Sequence, residues 1–366
     1  MMGDISVNTA LERVRTFMDD KKLDGVLFRR RDFFSWLTGG KDNHIVNTTE
    51  LGVAPLLILR DRKICLASKM EAARIREEEL YGQGYDWITP EWYEGEIETI
   101  QRICAGKRIG SDTPIDGLLY VEEELRALRY VLTESEIEDY RSLSQLAARA
   151  VESACRELVP GQSEHEIAAN LAYKVLKEGM NPQVILVATD ERIFRYRHPI
   201  PTDKKLERYA MLVLCAEKGG LVSNVTRFVH FGPLSPELEE NKRKLAQIDA
   251  AMNAATRPGT PICKVIETGI EMYVRMGFPE DWKLLHQGGP TGYASREFLA
   301  TPDAKGRVLL HQAFAWNPAI RGIKSEDTIL VKEHENEFLT HTGEWVYLEV
   351  KHDGKTYLRP DILVRS

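Results

Sequence analysis

Two capping boxes place the starts of two consecutive helices in the middle of the chain. In Thr133-Glu134-Ser135-Glu136, the hydroxyl of Thr133 can accept a hydrogen bond from the N–H of Glu136. The carboxylate of Glu136 can accept one in return from the N–H of Thr133. Ser163-Glu164-His165-Glu166 repeats the pattern and opens a helix that extends through Leu176. Behind the first box, apolar residues recur at helical spacing, at Ile137, Tyr140, Leu143, Ala147, Val151, Ala154 and Leu158. Pro160-Gly161 predicts the end of that first helix.

The rest of the pattern predicts two domains, at residues 1–132 and 133–366. The first third alternates helix and strand, with predicted elements at Thr9–Lys22, Gly25–Phe28, Pro55–Leu59, Met70–Glu79 and Val121–Arg129. After the two capped helices, strands predominate, at Val184–Ala188, Ala210–Ala216, Leu221–His230, Val308–Asn317 and Thr328–Val331. One more helix is predicted at Leu238–Thr256. An α/β domain followed by an α+β domain is the architecture that this order indicates.

The composition is that of an ordinary globular protein, and it excludes several functional classes. Hydrophobic residues make up 43% and charged residues 29% of the chain. The net charge of -7 argues against a nucleic-acid partner. No apolar stretch approaches the roughly 20 residues that span a bilayer, and the charged start of the chain does not suit a signal peptide. The 5 cysteines show no CxxC spacing, which predicts reduced, mostly buried thiols in a cytoplasmic protein.

Four segments, taken in order along the chain, carry a family resemblance. They are Arg197-His198-Pro199, Ser223-Asn224-Val225-Thr226-Arg227, His286-Gln287-Gly288-Gly289, and Trp316-Asn317-Pro318 followed by Ser325-Glu326-Asp327-Thr328. They resemble the family of methionine aminopeptidase, aminopeptidase P, prolidase and creatinase, and Phe34-Ser35-Trp36-Leu37-Thr38-Gly39 resembles a segment of its N-terminal domain. The resemblance covers nearly all of the chain. It implies an α+β fold, with a pita-bread C-terminal domain after a smaller α/β creatinase-type N-terminal domain.

The resemblance also implies where a metal centre would lie. Peptidases of this family bind two divalent metals through two Asp, one His and two Glu side chains. The five positions fall on Val213, Asn224, Gln287 (or His286, if the register shifts by one), Asn317 and Glu326. Glu326 is therefore the one carboxylate that remains.

Charge balance argues against metal binding by such a set. Two divalent ions bring four positive charges, and neutral amides do not offset them. Val213 has no donor atom, and Asn224 cannot bridge two metals as a carboxylate does. The alternative is a different register in which Glu217 replaces Val213. The sequence predicts that the dinuclear site is lost and that the protein uses no metal and no other cofactor.

His198 matches the histidine that lies at the substrate throughout the family, and in metal-free creatinase that histidine is the acid/base. An unperturbed pKa near 6.5 would let His198 both accept and return a proton at neutral pH. The structural alternative is an exposed loop histidine between Arg197 and Pro199. We expect His198 to be catalytic.

The other predicted site residues are assigned to substrate binding. Tyr293-Ala294-Ser295-Arg296-Glu297 resembles a creatinase-like segment, so Tyr293 would contact the substrate and Arg296 would bind a substrate carboxylate. An ion pair of Arg296 with Glu297 or another neighbour is the alternative. The side chains expected to converge where the metals would lie, with His286 beside them, are Asn224, Gln287, Asn317 and Glu326. A polar core network would explain the same residues.

Three functional hypotheses follow from the resemblance. The first is a metal-independent, creatinase-like hydrolase that cleaves a C–N bond in a small polar amide- or guanidinium-type substrate. His198 would be its acid/base, and Glu326 would orient and charge-balance a cationic group or an attacking water. The second is an Xaa-Pro aminopeptidase or dipeptidase with an atypical metal site. The third is a non-catalytic ligand- or peptide-binding module, as the pita-bread domain is in a histone-chaperone subunit.

The resemblance further implies a homodimer. In two-domain members of the family, the N-terminal domain of one subunit covers the active site of the other. The segment Lys41–Glu50, with Asn43, His44 and Asn47, corresponds roughly to the loop that does this in creatinase. The expected partners are thus a small-molecule substrate and a second copy of the chain, with neither nucleic acid nor membrane.

Overall fold

A computed structural model describes residues 2–366 of the protein. Internal contacts divide the chain into two units. The first comprises the residues up to Glu136 together with Gly219–Leu221, and the second comprises Ile137–Lys218 together with Val222–Ser366. The boundary predicted between residues 132 and 133 stays a prediction.

The first unit is a mixed sheet accompanied by helices. Its helices are α1 (Met2–Lys21), α2 (Arg31–Thr38), α3 (Lys69–Arg74), α4 (Glu96–Cys104) and α5 (Glu122–Ala127). Its strands are β1 (Gly25–Arg30), β2 (Leu51–Leu59), β3 (Lys63–Leu66), β4 (Asp86–Ile88), β5 (Ile109–Ser111) and β6 (Leu119–Tyr120). They form a 6-stranded sheet in the order β4-β3-β2-β1-β5-β6. The segment that carries the N-terminal family resemblance forms most of α2, which ends at Gly39 in the left-handed conformation with φ 70°.

The second unit contains two 4-stranded sheets, two hairpins and several helices. Its helices are α6 (Glu134–Arg156), α7 (Glu164–Lys177), α8 (Glu191–Arg195), α9 (Pro236–Ala255) and α10 (Ile262–Arg275). Its first strands are β7 (Asn181–Thr189), β8 (Tyr209–Lys218) and β9 (Leu221–Phe231). The later strands are β10 (Gly288–Thr291), β11 (Ala313–Trp316), β12 (Ala319–Ile320), β13 (Ile323–Lys324), β14 (Asp327–Leu330), β15 (Glu337–Phe338), β16 (Tyr347–His352), β17 (Lys355–Pro360) and β18 (Leu363–Arg365). The sheets have the orders β18-β9-β8-β7 and β10-β11-β14-β15, and β12-β13 and β16-β17 are the hairpins.

The core of the second unit lies between these sheets and the helices α9 and α10. Leu245 and Met252 of α9 and Val265 of α10 belong to one buried cluster with Phe314 of β11. Val213 of β8 is a member of the same cluster and is 2% exposed. The position where the family resemblance implies a metal-binding aspartate therefore lies in the apolar core.

Both predicted capping boxes are present. Thr133 and Ser163 each accept a hydrogen bond from the N–H of the glutamate three residues on, at 3.3 and 3.2 Å. The carboxylates of Glu136 and Glu166 accept in return from the N–H groups of Thr133 and Ser163, at 2.7 and 2.6 Å. The starts of α6 and α7 thus follow the local rules by which they were predicted.

The structure differs from the predicted secondary structure at one strand and one helix. The strand expected at Val308–Asn317 begins only at Ala313. Its first part forms a turn in which the N–H of Val308 donates to Thr260. Helix α10 was not predicted: it starts after Pro261 without a side-chain cap, so the usual start signal is missing.

Among the described residues, no helix is long and apolar enough to cross a membrane. Cys65, Cys104, Cys155 and Cys215 are buried free thiols, and Cys263 is partly buried.

Glu164, the first residue of α7, fixes the loop that carries His198. Its buried carboxylate accepts hydrogen bonds from the N–H and hydroxyl of Thr189, at 2.8 and 3.1 Å. It also accepts from the N–H and hydroxyl of Thr202, at 2.9 and 2.8 Å, and forms an ion pair with Arg192. Both ends of the segment 189–202 are therefore bound to one side chain.

We expect Glu164→Ala to destabilise the second unit and release this loop. Removing one partner of a buried, hydrogen-bonded ion pair costs about 3–5 kcal/mol of unfolding free energy. Urea unfolding measures the loss, and trypsin followed by mass spectrometry detects new cleavage at the arginines of segment 189–202. Glu178→Ala, at the exposed opposite end of α7, is the matched control. Equal stability and equal cleavage in the two variants would contradict the anchoring role.

Candidate active site

Backbone hydrogen bonds bring the later site segments together across neighbouring strands. The N–H of Thr226 on β9 donates to the carbonyl oxygen of Glu326 at 3.1 Å. The N–H of Asn317 donates to the carbonyl oxygen of Gln287 at 3.0 Å, beside the pairing of β11 with β10 and β14. The strand register therefore places residues from four separate segments next to one another.

Glu326 is buried, with 3% of its side chain exposed, and it is fully bonded. Its Oε2 accepts from the Nζ of Lys324 at 2.9 Å and from the hydroxyl of Thr226 at 2.7 Å. Its Oε1 accepts from Nη2 of Arg296 at 2.9 Å. Although burial opposes ionisation, the charges of Lys324 and Arg296 lower the pKa of Glu326 to about 2. Glu326 is therefore a carboxylate at every physiological pH.

Lys324 is the site residue that sequence reasoning missed. Its side chain is 6% exposed, and its ammonium contacts Glu326. A signal was available, because residues two apart on extended chain point to the same side and Lys324 precedes Glu326 by that interval. The hydroxyl of Thr226 also contacts Glu326.

His198 and His286 lie side by side, with ring centroids 5.7 Å apart. His198 is exposed and His286 is partly buried. Loss of solvation and the charge of Lys324 lower the pKa of His198. Burial, together with the charges of Arg296 and His198, lowers the pKa of His286 to about 4. Both imidazoles are therefore neutral at pH 7, and His198 is free to accept a proton.

Asn224 and Asn317 are 0% and 1% exposed. The amide nitrogen of Asn224 donates to the hydroxyl of Thr291 at 3.1 Å. The Oδ1 atoms of both asparagines have no hydrogen-bond partner among the described residues. Buried carbonyl oxygens without a donor are costly, so these atoms mark positions where a ligand or water would donate.

Gln287 differs, because the surrounding protein satisfies its amide. Its Oε1 accepts from the hydroxyl of Tyr273 at 2.9 Å, and its Nε2 donates to the carbonyl oxygens of Leu285 and Trp282 at 2.7 and 3.0 Å. These bonds favour the polar-core alternative for this residue. Its substrate-binding role stays a prediction.

Arg296 forms an ion pair with Glu326. Its binding of a substrate carboxylate stays a prediction. Its Nη1 donates to the carbonyl oxygen of Ser295 at 2.5 Å. Its Nε lacks a partner among the described residues and remains available for a ligand oxygen. Glu297 instead accepts from the N–H of Tyr293 at 3.1 Å, and Tyr293 is buried. The structure thus places Arg296 in the site and Tyr293 beside it.

The residues present do not fit a pair of divalent metals. Val213 is an apolar core residue, and Glu217 is bonded to Asn181 and Gln183 at 3.1 and 3.3 Å, so it does not substitute for Val213. Glu326 already has a cation on each oxygen. Within residues 2–366, no three His, Cys, Asp or Glu side chains are grouped so as to hold a metal ion.

Comparisons with known proteins agree with this architecture. The model of the Creatinase/Prolidase N-terminal domain matches residues 11–143, and that of Metallopeptidase family M24 matches residues 138–333. The Xaa-Pro dipeptidase of Pyrococcus furiosus is 21% identical over 352 residues, which cover 91% of this chain and 97% of that protein. An uncharacterized peptidase of Staphylococcus saprophyticus is 23% identical over 228 residues, 60% of this chain and 65% of that protein.

Among solved structures, the prolidase from Pyrococcus horikoshii OT3 superimposes with a TM-score of 0.78 at 19% identity, covering 91% of this chain and 98% of that one. The predicted fold class, a pita-bread domain after a creatinase-type N-terminal domain, is confirmed.

We expect the purified protein to retain no stoichiometric pair of divalent metals. Incubation with excess Mn²⁺, Co²⁺ or Zn²⁺, then dialysis and elemental analysis, measures this directly. The physical reason is the charge deficit, since one carboxylate faces two side-chain cations and cannot balance four further positive charges. Glu326→Gln is the matched control, because it removes the last carboxylate. Two ions per chain in the wild type that are lost in Glu326→Gln would overturn the expectation.

Proposed function

We propose that this chain, which belongs to metallopeptidase family M24, is a hydrolase of a small amide substrate that uses His198 to transfer protons. Membership rests on the family model over residues 138–333. The observation that carries the proposal is a neutral His198 whose ring lies 5.7 Å from that of His286 and whose pKa is shifted by the nearby charges of Lys324, Glu326 and Arg296. A proton acceptor thus lies next to groups that can polarise or orient a substrate.

The comparisons support an Xaa-Pro dipeptide-like substrate better than a creatine-like one, because Xaa-Pro dipeptidases and prolidases are among the relatives and similar structures. A dipeptide has N–H donors and carbonyl and carboxylate oxygens. The unpartnered Oδ1 atoms of Asn224 and Asn317 can accept hydrogen bonds from the N–H groups of such a dipeptide. The unpartnered Nε of Arg296 can donate to one of its oxygens. The substrate class is therefore an amide with a charged end of each sign.

The reaction can be written with the residues of this chain. His198 accepts a proton from a water as its oxygen attacks the carbonyl carbon of the scissile amide, so that a C–O bond forms. His198 then gives the proton to the amide nitrogen, and the C–N bond breaks. Both carboxylate oxygens of Glu326 accept hydrogen bonds, from Lys324, Arg296 and Thr226. In this reaction Glu326 would position those three side chains, whereas the sequence suggested that it orients a substrate cation or the attacking water.

A second candidate is a binding module without turnover. The observation that favours it is the saturation of Glu326 and Gln287 by protein groups, which leaves His198 and His286 as the titratable groups of the site open to a ligand. Such a module would use the same asparagine oxygens and Arg296 to bind its ligand. Turnover separates the two candidates.

We expect His198→Ala to lower turnover of the substrate by about 100-fold or more, which is the usual contribution of a positioned acid/base. His198→Gln should be nearly as impaired, since glutamine keeps polarity but cannot exchange a proton at neutral pH. A panel of Xaa-Pro dipeptides, other dipeptides and creatine supplies the assay. The control is His334→Ala, because the side chain of His334 is 90% exposed. Full activity of His198→Ala would refute the proton-transfer role, and ligand binding without turnover by the wild type would favour the module.

The pH profile gives an independent measurement on the same residue. His198 must be neutral to accept a proton, and its pKa is lowered from 6.5 by lost solvation and by Lys324 and Arg296, against the opposing charge of Glu326. The rate constant kcat/KM should therefore be flat at neutral pH and fall only as pH drops below 6.5. The neighbouring His286 has a pKa of about 4, so it contributes a separate limb at lower pH. An acid limb unchanged in His198→Gln would exclude His198 as its source.

We also propose that the chain is a homodimer. None of the predicted catalytic or substrate-binding residues lies in the N-terminal unit, so that unit is best explained as a cover for the active site of a second copy. Light scattering at micromolar concentration should give twice the 41.7 kDa of the chain. A monomeric mass would refute this proposal and leave the assignment of His198 intact.

A further inference from the structure

Each oxygen of Glu326 is bound to a different cation of the protein. Lys324 donates to Oε2 and Arg296 to Oε1, both at 2.9 Å. The three side chains are 3%, 6% and 10% exposed for Glu326, Lys324 and Arg296. One buried carboxylate is thus held between a buried ammonium and a partly buried guanidinium.

This arrangement has the form of a carboxylate that bridges two metal ions. A bridging carboxylate binds one cation through each oxygen, and a buried carboxylate requires such compensation because desolvation is costly. Lys324 and Arg296 supply two positive charges against one negative charge. A divalent ion placed beside Glu326 would meet two cations at short range in a poorly screened interior.

We propose that Lys324, together with Arg296, is a built-in cation pair that takes the place of divalent metals on Glu326 and keeps them away from it. The proposal concerns the electrostatics of the site and does not depend on which substrate the protein binds. Lys324 is the decisive member, because its ammonium lies on the oxygen that also contacts β9 through Thr226.

The segments that pair with the one carrying Glu326 also hold buried atoms that could act as metal ligands. The Oδ1 atoms of Asn224 and Asn317 and the Nδ1 atom of His286 are buried and have no partner among the described residues. Amide oxygens and an imidazole nitrogen are acceptable metal ligands once a second carboxylate is present. Replacing the ammonium of Lys324 by a carboxylate would therefore both remove the competing charge and add a ligand.

The test measures Mn²⁺ binding by the full-length protein, with electron paramagnetic resonance for stoichiometry and calorimetry for affinity. Lys324→Glu should bind one Mn²⁺ at least about tenfold more tightly than Lys324→Arg, because affinity for hard cations follows the number of carboxylate ligands. Lys324→Arg keeps the positive charge and should match the wild type. The double variant Lys324→Glu, Glu326→Gln should lose the gain, which would locate the ion on Glu326.

A second variant protects the test against misfolding. Lys324→Met removes the charge at similar length, and it should lower the thermal unfolding midpoint below that of Lys324→Arg because Glu326 loses a partner. If folded Lys324→Glu binds Mn²⁺ no more tightly than Lys324→Arg, the proposal is wrong. If Lys324→Glu does not fold, the thermal unfolding midpoints of Lys324→Met and Lys324→Arg decide. Equal midpoints would mean that Glu326 does not need the positive charge of Lys324, and the proposal would then be wrong. Tight Mn²⁺ binding by the wild type that Glu326→Gln abolishes would also overturn it.

Discussion

Two adjacent buried carboxylates, Glu326 and Asp327, are the constraint on which the second unit depends. Successive residues of a strand point to opposite sides, so neighbours in sequence enter different environments. Glu326 contacts Lys324 and Arg296 in the site. Asp327 contacts Arg227 and Arg359 in the core, at 3.0 and 2.7 Å. Each carboxylate therefore forms ion pairs with two side-chain cations.

The core half of this arrangement connects elements that are distant in sequence. Arg227 lies on β9, Asp327 on β14 and Arg359 on β17, and Arg359 also pairs with Asp249 of α9 at 2.5 Å. Removal of one member would leave a buried charge without compensation, a loss of about 3–5 kcal/mol. Because Thr226 and Glu326 are the direct neighbours of Arg227 and Asp327, the network that holds the strands together also fixes the register of the site.

Sequence reasoning succeeded where local rules decide the outcome. The capping boxes at Thr133 and Ser163 specify their helices through hydrogen bonds within four residues, and the resemblance of the ordered segments specifies the fold. It did not identify the partners that distant parts of the chain supply. The pairing of Arg296 with Glu326 spans 30 residues. The amide oxygen of Gln287 accepts from Tyr273, which lies on α10, a helix without a start signal. The alternation of Lys324 and Glu326 was visible in the sequence, but only the strand register makes both residues buried neighbours.

The pairing of Glu326 with two side-chain cations has a chemical consequence for this site. A divalent metal supplies positive charge and also binds water directly, which lowers the pKa of that water from about 15.7 to about 7. An ammonium or a guanidinium supplies charge and hydrogen bonds, but it does not coordinate water in this way. Lys324 and Arg296 can therefore orient a substrate oxygen and stabilise negative charge on it, while the proton of an attacking water must go to a base. In this group of residues Glu326 is held ionised but has both oxygens occupied, and the pKa of His286 is lowered to about 4. In the proposed reaction the base is therefore His198, whose pKa is lowered from 6.5 so that it is neutral at pH 7. The charge arrangement around Glu326 agrees with that proposal.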